Sequence, residues 1–106
     1  MLKLILNGTV GKDAEVKTVG ERKVINFDVA VSMDYKNAQG EKVERTEWVR
    51  AAMWRSERQS TKVAEFLKKG QKVLLEGVPG SEGYQSKDGT VKSTIHVNVK
   101  ELELLN

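Results

Sequence analysis

Cysteine is absent from the 106 residues, and proline and histidine occur once each. Without a thiol there can be no disulfide scaffold, thiolate zinc site or cysteine nucleophile, and the chain suits a reducing compartment, the cytoplasm by default. No apolar run approaches the ~20 residues that a bilayer needs. The opening Met1 to Leu6 is too short for a signal peptide and leads directly into a strand pattern, so neither export nor a membrane partner is expected. Catalytic chemistry is equally thin. His96 alternates with Lys92, Thr94 and Asn98 as a solvated histidine would. Glu41, Glu44 and Glu47 cluster around a turn with no His or Asp spaced to complete a metal set, and Gly77, Gly80 and Gly83 never open a helix, as a phosphate loop must. No enzyme activity, metal or cofactor is expected.

What is present is ordinary globular composition, 39% hydrophobic and 31% charged with nine glycines, in a length that builds one core. Residues 1–106 are read as a single domain. The net charge of +3 is unevenly spread. Residues 45–72 carry eight cations (Arg45, Arg50, Arg55, Arg58, Lys62, Lys68, Lys69, Lys72) against three glutamates, and the remainder is slightly acidic. Such a surplus fits either a solvated basic face or a polyanion partner.

Five runs read as strands. Ile25, Phe27, Val29, Val31 and Met33 alternate with polar or small residues between 24 and 34, the period-2 mark of a half-buried strand. Leu2, Leu4 and Leu6 repeat this on a shorter scale. A third run spans 43–54, a fourth 72–78, and a fifth 91–104 with Ile95, Val97 and Val99 on one face. Asn37 to Gly40 separates the second and third, and Asp88-Gly89 marks a hairpin between the fourth and fifth. Between the third and fourth, Ser56 or Ser60 can cap a short helix with Val63, Phe66 and Leu67 on its apolar face and Gly70 at its end. Phe27 and Phe66 are read as core. The order β-β-β-α-β-β predicts an all-β fold, the five-stranded Greek-key barrel known as the OB-fold, with the helix plugging one end.

The third strand carries the strongest functional signal. Its odd positions, Val49, Ala51 and Met53, suit a core, and its even positions set Trp48, Arg50 and Trp54 on the opposite face. A row of Trp, Arg and Trp suits stacked bases beside a phosphate backbone. It also suits a barrel-end cover or an oligomer contact. Tyr35 and Tyr84 stand in polar surroundings, as stacking residues or as surface tyrosines.

Several stretches resemble the bacterial single-stranded DNA-binding protein family: Leu4 to Val16 (LILNGTVGKDAEV), Asn26 to Ser32 (NFDVAVS), Gly40-Glu41 through Thr46-Glu47-Trp48, and Phe66-Leu67-Lys68-Lys69-Gly70 with Val73 and Glu76-Gly77. They occur in order over nearly the whole chain. The resemblance implies an OB barrel assembled mostly as a homotetramer, with single-stranded DNA held by stacking on Tyr35, Trp48, Trp54 and Tyr84. Together with the basic segment it yields a nucleic-acid-binding set of Tyr35, Trp48, Arg50, Trp54, Arg55, Lys62, Lys72 and Tyr84. Two rival readings stand beside it: a primosomal replication protein of the tailless, dimeric OB type, which also binds single strands, and an OB module that uses the Trp face to bind protein. Four departures stand out. Val49 replaces a histidine usual at the subunit contact; Pro79 to Gly83 replaces a basic run; Arg55 to Thr61 is longer and more basic; and Asn106 stands where members continue into a glycine-rich linker and acidic tail, so no tail-mediated recruitment is expected.

Overall fold

Alternating apolar residues demand a partner sheet for one face only, and here the sheet satisfies that demand by closing on itself. The computed structural model describes the backbone of residues 1–85 and 91–106 and the side chains of 1–80 and 94–106. The strands are β1 (Leu4–Val10), β2 (Glu15–Val19), β3 (Arg22–Ser32), β4 (Tyr35–Lys36), β5 (Lys42–Val43), β6 (Thr46–Arg55), β7 (Lys72–Gln85) and β8 (Val91–Leu105). Hydrogen bonding runs β1-β7-β8-β6-β3, and β3 returns to β1 at Thr9↔Ala30 and Val10↔Val29. The result is the expected five-stranded OB barrel. All its contacts are antiparallel except β6 with β8, which are parallel.

Inside lie Leu6, Val10, Ile25, Phe27, Val29, Val49, Ala51, Met53, Leu67, Val73, Leu75, Val97 and Val99. These are the inward parities of the five barrel strands, plus Leu67 from the segment that covers one end. At Gly77 a bulge in β7 lets the backbone pass close to β8: an added Cβ would sit 2.9 Å from Val97 Cγ2 and collide with the Asn98 carbonyl.

The expected short helix is instead a single 3-10 turn, Lys62–Phe66, with Thr61 before it and no side-chain cap. Backbone demands from the barrel end it early. The Leu67 carbonyl accepts the Ala14 amide at 2.8 Å, and the Gly70 amide donates to the Val10 carbonyl at 2.8 Å, so neither group is free for a helical ladder. Val63 and Ala64 still pack on the core and Leu67 is fully buried, whereas Phe66, expected in the core, is 53% exposed. Ala64 and Leu67, three residues apart, share the inward side of the three-residue turn, and Phe66 stands a third of a turn away from Leu67.

Other boundaries also move. Leu2 and Met33 lie outside strands and are exposed; Val43 belongs to a two-residue ribbon, β4–β5, separate from the third run; the fourth run extends to Gln85. Ile95, expected inward, is 37% exposed, and His96, expected to be solvated, is half-buried. β2 was not expected, since all five of its residues are exposed on an edge strand with no buried face to reveal it. The Asp88-Gly89 turn lies outside the described residues.

Leu67→Ala should cost about 2–5 kcal/mol of unfolding free energy by leaving a cavity under the barrel end. Phe66→Ser should change it by no more than ~0.5 kcal/mol. Urea denaturation of both variants checks the pair, and a core helix would reverse the second result.

Candidate nucleic-acid interface

β6 is held on both sides, paired with β3 from Lys23↔Arg55 to Ser32↔Thr46 and with β8 from Val49↔Ile95 to Ala52↔Asn98. That double register leaves no freedom in its parity. Val49, Ala51 and Met53 are buried, while Trp48 is 53% and Trp54 38% exposed, with Arg50 exposed between them. At a rise of about 3.3 Å per residue the two indoles stand roughly 20 Å apart along the strand.

Each indole has a support that comes from a distant part of the chain. Trp48 lies opposite Ala30, and its six-membered ring rests against Gly11, just after β1, where an added Cβ would sit 2.6 Å from Cη2. Trp54 lies opposite Val24, which is buried on the outer face beside it. The Arg22 guanidinium carbon stands 4.8 Å from the centroid of the Trp54 ring, a cation–π contact worth about 0.5–1 kcal/mol at an exposed site.

Charge on this face is mixed. Arg50 has Asp28 across from it on β3 and His96 on β8. Of the eight cations in 45–72, Arg45 pairs with Glu47 (3.7 Å) and Lys68 with Asp13 (3.8 Å). Among the described residues, Arg50, Arg55, Arg58, Lys62, Lys69 and Lys72 form no ion pair, leaving their charge available to an external anion.

The other expected residues are spread around the molecule. Tyr35 opens the β4–β5 ribbon and is 52% exposed. Arg55 ends β6 on the inward parity and is half-buried, its Nη2 donating to Met53 Sδ at 3.0 Å. Lys62 begins the 3-10 turn, its amide donating to Ser60 Oγ at 3.0 Å. Lys72 begins β7 opposite Thr9 and Leu105, on the wall separated from β6 by β8, so nothing brings it to the Trp row. The backbone of Tyr84 pairs with Lys92; its side chain lies outside the described set. Trp48, Arg50 and Trp54 therefore share the outward face of β6, with Arg55 on the inward parity of the same strand and Tyr35 and Lys62 on other elements. Arg22 and Gly11 were not foreseen. Carrying the alternation of β3 back from Val24 would have placed Arg22 on the Trp54 face; the Gly11 contact joins two distant segments and leaves no local signal.

The model of the Single-strand binding protein family matches residues 1–105. The chain belongs to that family. Among curated members, a single-stranded DNA-binding protein of Neisseria meningitidis is 36% identical over 104 residues, 97% of this chain and 59% of the relative. One from Rickettsia felis is 36% identical over 97 residues, 90% of this chain and 63% of the relative. The chain thus spans about three-fifths of the length of these family members. A solved structure described as a Plasmodium falciparum SSB complex with ssDNA shares the fold, with a TM-score of 0.78 at 20% identity over 100% of this chain and 96% of that one. The small single-stranded DNA-binding protein from Streptomyces coelicolor gives 0.76 at 13% identity over 97% and 93%.

Beside the row, Asp34 fastens the β4–β5 ribbon that carries Tyr35. Its Oδ1 accepts the Arg45 amide at 3.0 Å, and Lys42 Nζ lies 3.7 Å from Oδ2. The Arg45 amide chiefly, with smaller help from Ser32 and Lys42 against partial desolvation, holds the carboxyl below its ordinary 3.8. A depressed carboxylate stabilises the fold above its unfolded pKa and loses that contribution as pH falls through the folded value. The Arg45 amide resonance should therefore titrate below pH 3.8, and Asp34→Asn should abolish that titration in an NMR pH series.

Gly11→Ala should displace the Trp48 ring while changing stability by no more than ~0.5 kcal/mol. A shift in tryptophan emission that disappears in a Trp48→Phe background, with an unchanged melting curve, is the expected pair of readings.

Proposed function

We propose that the chain binds single-stranded DNA without sequence preference, protecting it during replication, recombination or repair, and that it does so as a non-catalytic protein of the cytoplasm at the nucleoid. The observation that carries this reading is the Trp48, Arg50, Trp54 row, held outward by a strand whose register is fixed on both sides. Bases offer their faces to the indoles whatever their identity, so stacking tolerates any sequence. Arg50 and the unpaired cations of 45–72 answer the backbone charge. Family membership and the names of the relatives support the same substrate. Tyr35 and Tyr84 extend the stacking set, and Arg55, Lys62 and Lys72 the cationic one. Among the described residues no helix is long and apolar enough to cross a membrane.

The active form in this reading is a homo-oligomer, a tetramer built from dimers. Leu4 to Gly8 of β1 pair with β7 on one side only, since β3 joins β1 only at Thr9 and Val10. That open edge lies beside Ile5, 63% exposed, in a hollow also lined by Leu74 and Leu102. A second copy pairing along β1 would cover both the edge and the apolar surface.

Titration of intrinsic fluorescence with oligo-dT, run beside light scattering, tests both statements. Quenching, much weaker duplex binding at ~0.15 M salt, and a mass above one chain are expected. Trp48→Ala and Trp54→Ala should each cost roughly 1–3 kcal/mol of binding, a magnitude taken from stacking proteins of this same class. An OB module that binds protein would show no quenching.

A further inference from the structure

Beyond the Trp row, the end of β6 opens into a cleft of about 390 Å³ between the barrel mouth and the 3-10 turn. Arg22, Arg55 and Lys100 line it with Trp54, Gln59 and Asn98, over apolar side chains of the core. Among the described residues no carboxylate lines it, and none of its three cations forms an ion pair.

Arg55 is the unusual member. It occupies an inward parity, where Val49, Ala51 and Met53 before it are buried core residues, yet it carries a permanent charge. Among the described residues its Nη2 reaches only the Met53 thioether, a weak acceptor, and its Nε is buried with no hydrogen-bond partner. A buried N–H without an acceptor is costly, and proteins ordinarily supply one. With three cations lining the cleft, an anion narrow enough to enter beside Trp54 is the ligand its charge favours. A guanidinium carries five N–H donors, and those not turned into the core suit the oxygens of a phosphate.

We propose that this cleft is a phosphate subsite: it takes one phosphodiester of a bound single strand, paired with Arg55 at its base and with Arg22 and Lys100 at its rim. The inference rests on the single-strand reading above and adds a position to it. Trp54 forms one wall of the cleft and one end of the stacking row, so a nucleotide stacked on that indole brings its own phosphate to the opening. Arg22 serves both, touching the ring and lining the cleft. A strand leaving Trp54 is thereby drawn inward at the barrel mouth.

The test is the salt dependence of oligo-dT binding by the full chain and by Arg55→Gln, Arg55→Lys and Lys100→Gln, between 50 and 200 mM salt. Each phosphate contact on a single strand contributes about 0.7 to the slope of log K against log salt. Arg55→Gln should flatten the slope by about that amount with Trp48 quenching retained, and Arg55→Lys should restore most of it. Should Arg55→Gln fail to fold, Lys100→Gln at the exposed rim reads the same subsite and should flatten the slope likewise. A wild-type slope in Arg55→Gln, or in Lys100→Gln where that variant stands in, overturns the proposal. So does an equal loss in Arg55→Lys, which would mean the residue acts through packing alone. Unchanged slopes together with displacement of an acidic peptide by Arg55→Gln would assign the cleft to a carboxylate-bearing protein instead. If the unaltered chain binds no oligo-dT at all, the single-strand reading falls and the subsite with it; binding with an unchanged slope removes the subsite alone.

Discussion

The double pairing of β6 is the constraint on which the rest depends. An edge strand can slip by one residue and exchange its faces, but a strand held between β3 and β8 can do so only by breaking ladders on both sides. Burying Val49, Ala51 and Met53 therefore exposes Trp48, Arg50 and Trp54 as a consequence of the same register. Core and recognition surface are two faces of one strand, and the hydrophobic drive that closes the barrel also holds two large aromatic rings in water.

This coupling explains why the Trp row was readable from residue order. Period 2 is a local property, and the alternation from Trp48 to Trp54 is enough to assign faces without knowing the neighbours. The barrel itself was legible for the same reason in β3, β6, β7 and β8. What escaped depended on distant partners. The segment around Val63 carries a sound helical pattern, but the Ala14 amide and the Val10 carbonyl claim the backbone groups of Leu67 and Gly70, so tertiary hydrogen bonds override the propensity. β2 is all exposed and has no apolar side to announce it. Gly11 reaches Trp48 only through the fold, and although alternation gives the faces of Arg22 and Arg55, the cleft that they share is formed by distant segments.

Charge placement shows a similar division between count and position. The surplus in 45–72 is real, yet Arg45 and Lys68 are taken up by nearby carboxylates, and Arg50 stands across from Asp28. Exposed pairs of this kind contribute little to stability and are screened by salt. Their effect is to moderate the field along the Trp row, leaving the denser positive charge at its Trp54 end, where Arg22, Arg55 and Lys100 line one cleft with no carboxylate among the described lining residues.

The Arg22 contact on Trp54 bears on stoichiometry. An indole has two faces, and a ring free on both can be sandwiched between successive bases, letting the strand thread past it. With a guanidinium 4.8 Å above the centroid, one face of Trp54 is already occupied. On the proposed reading that ring has a valence of one: it accepts a single base from the open side, and the next nucleotide must turn away rather than continue the stack. A cation that braces the ring thus also marks a corner in the path of the strand.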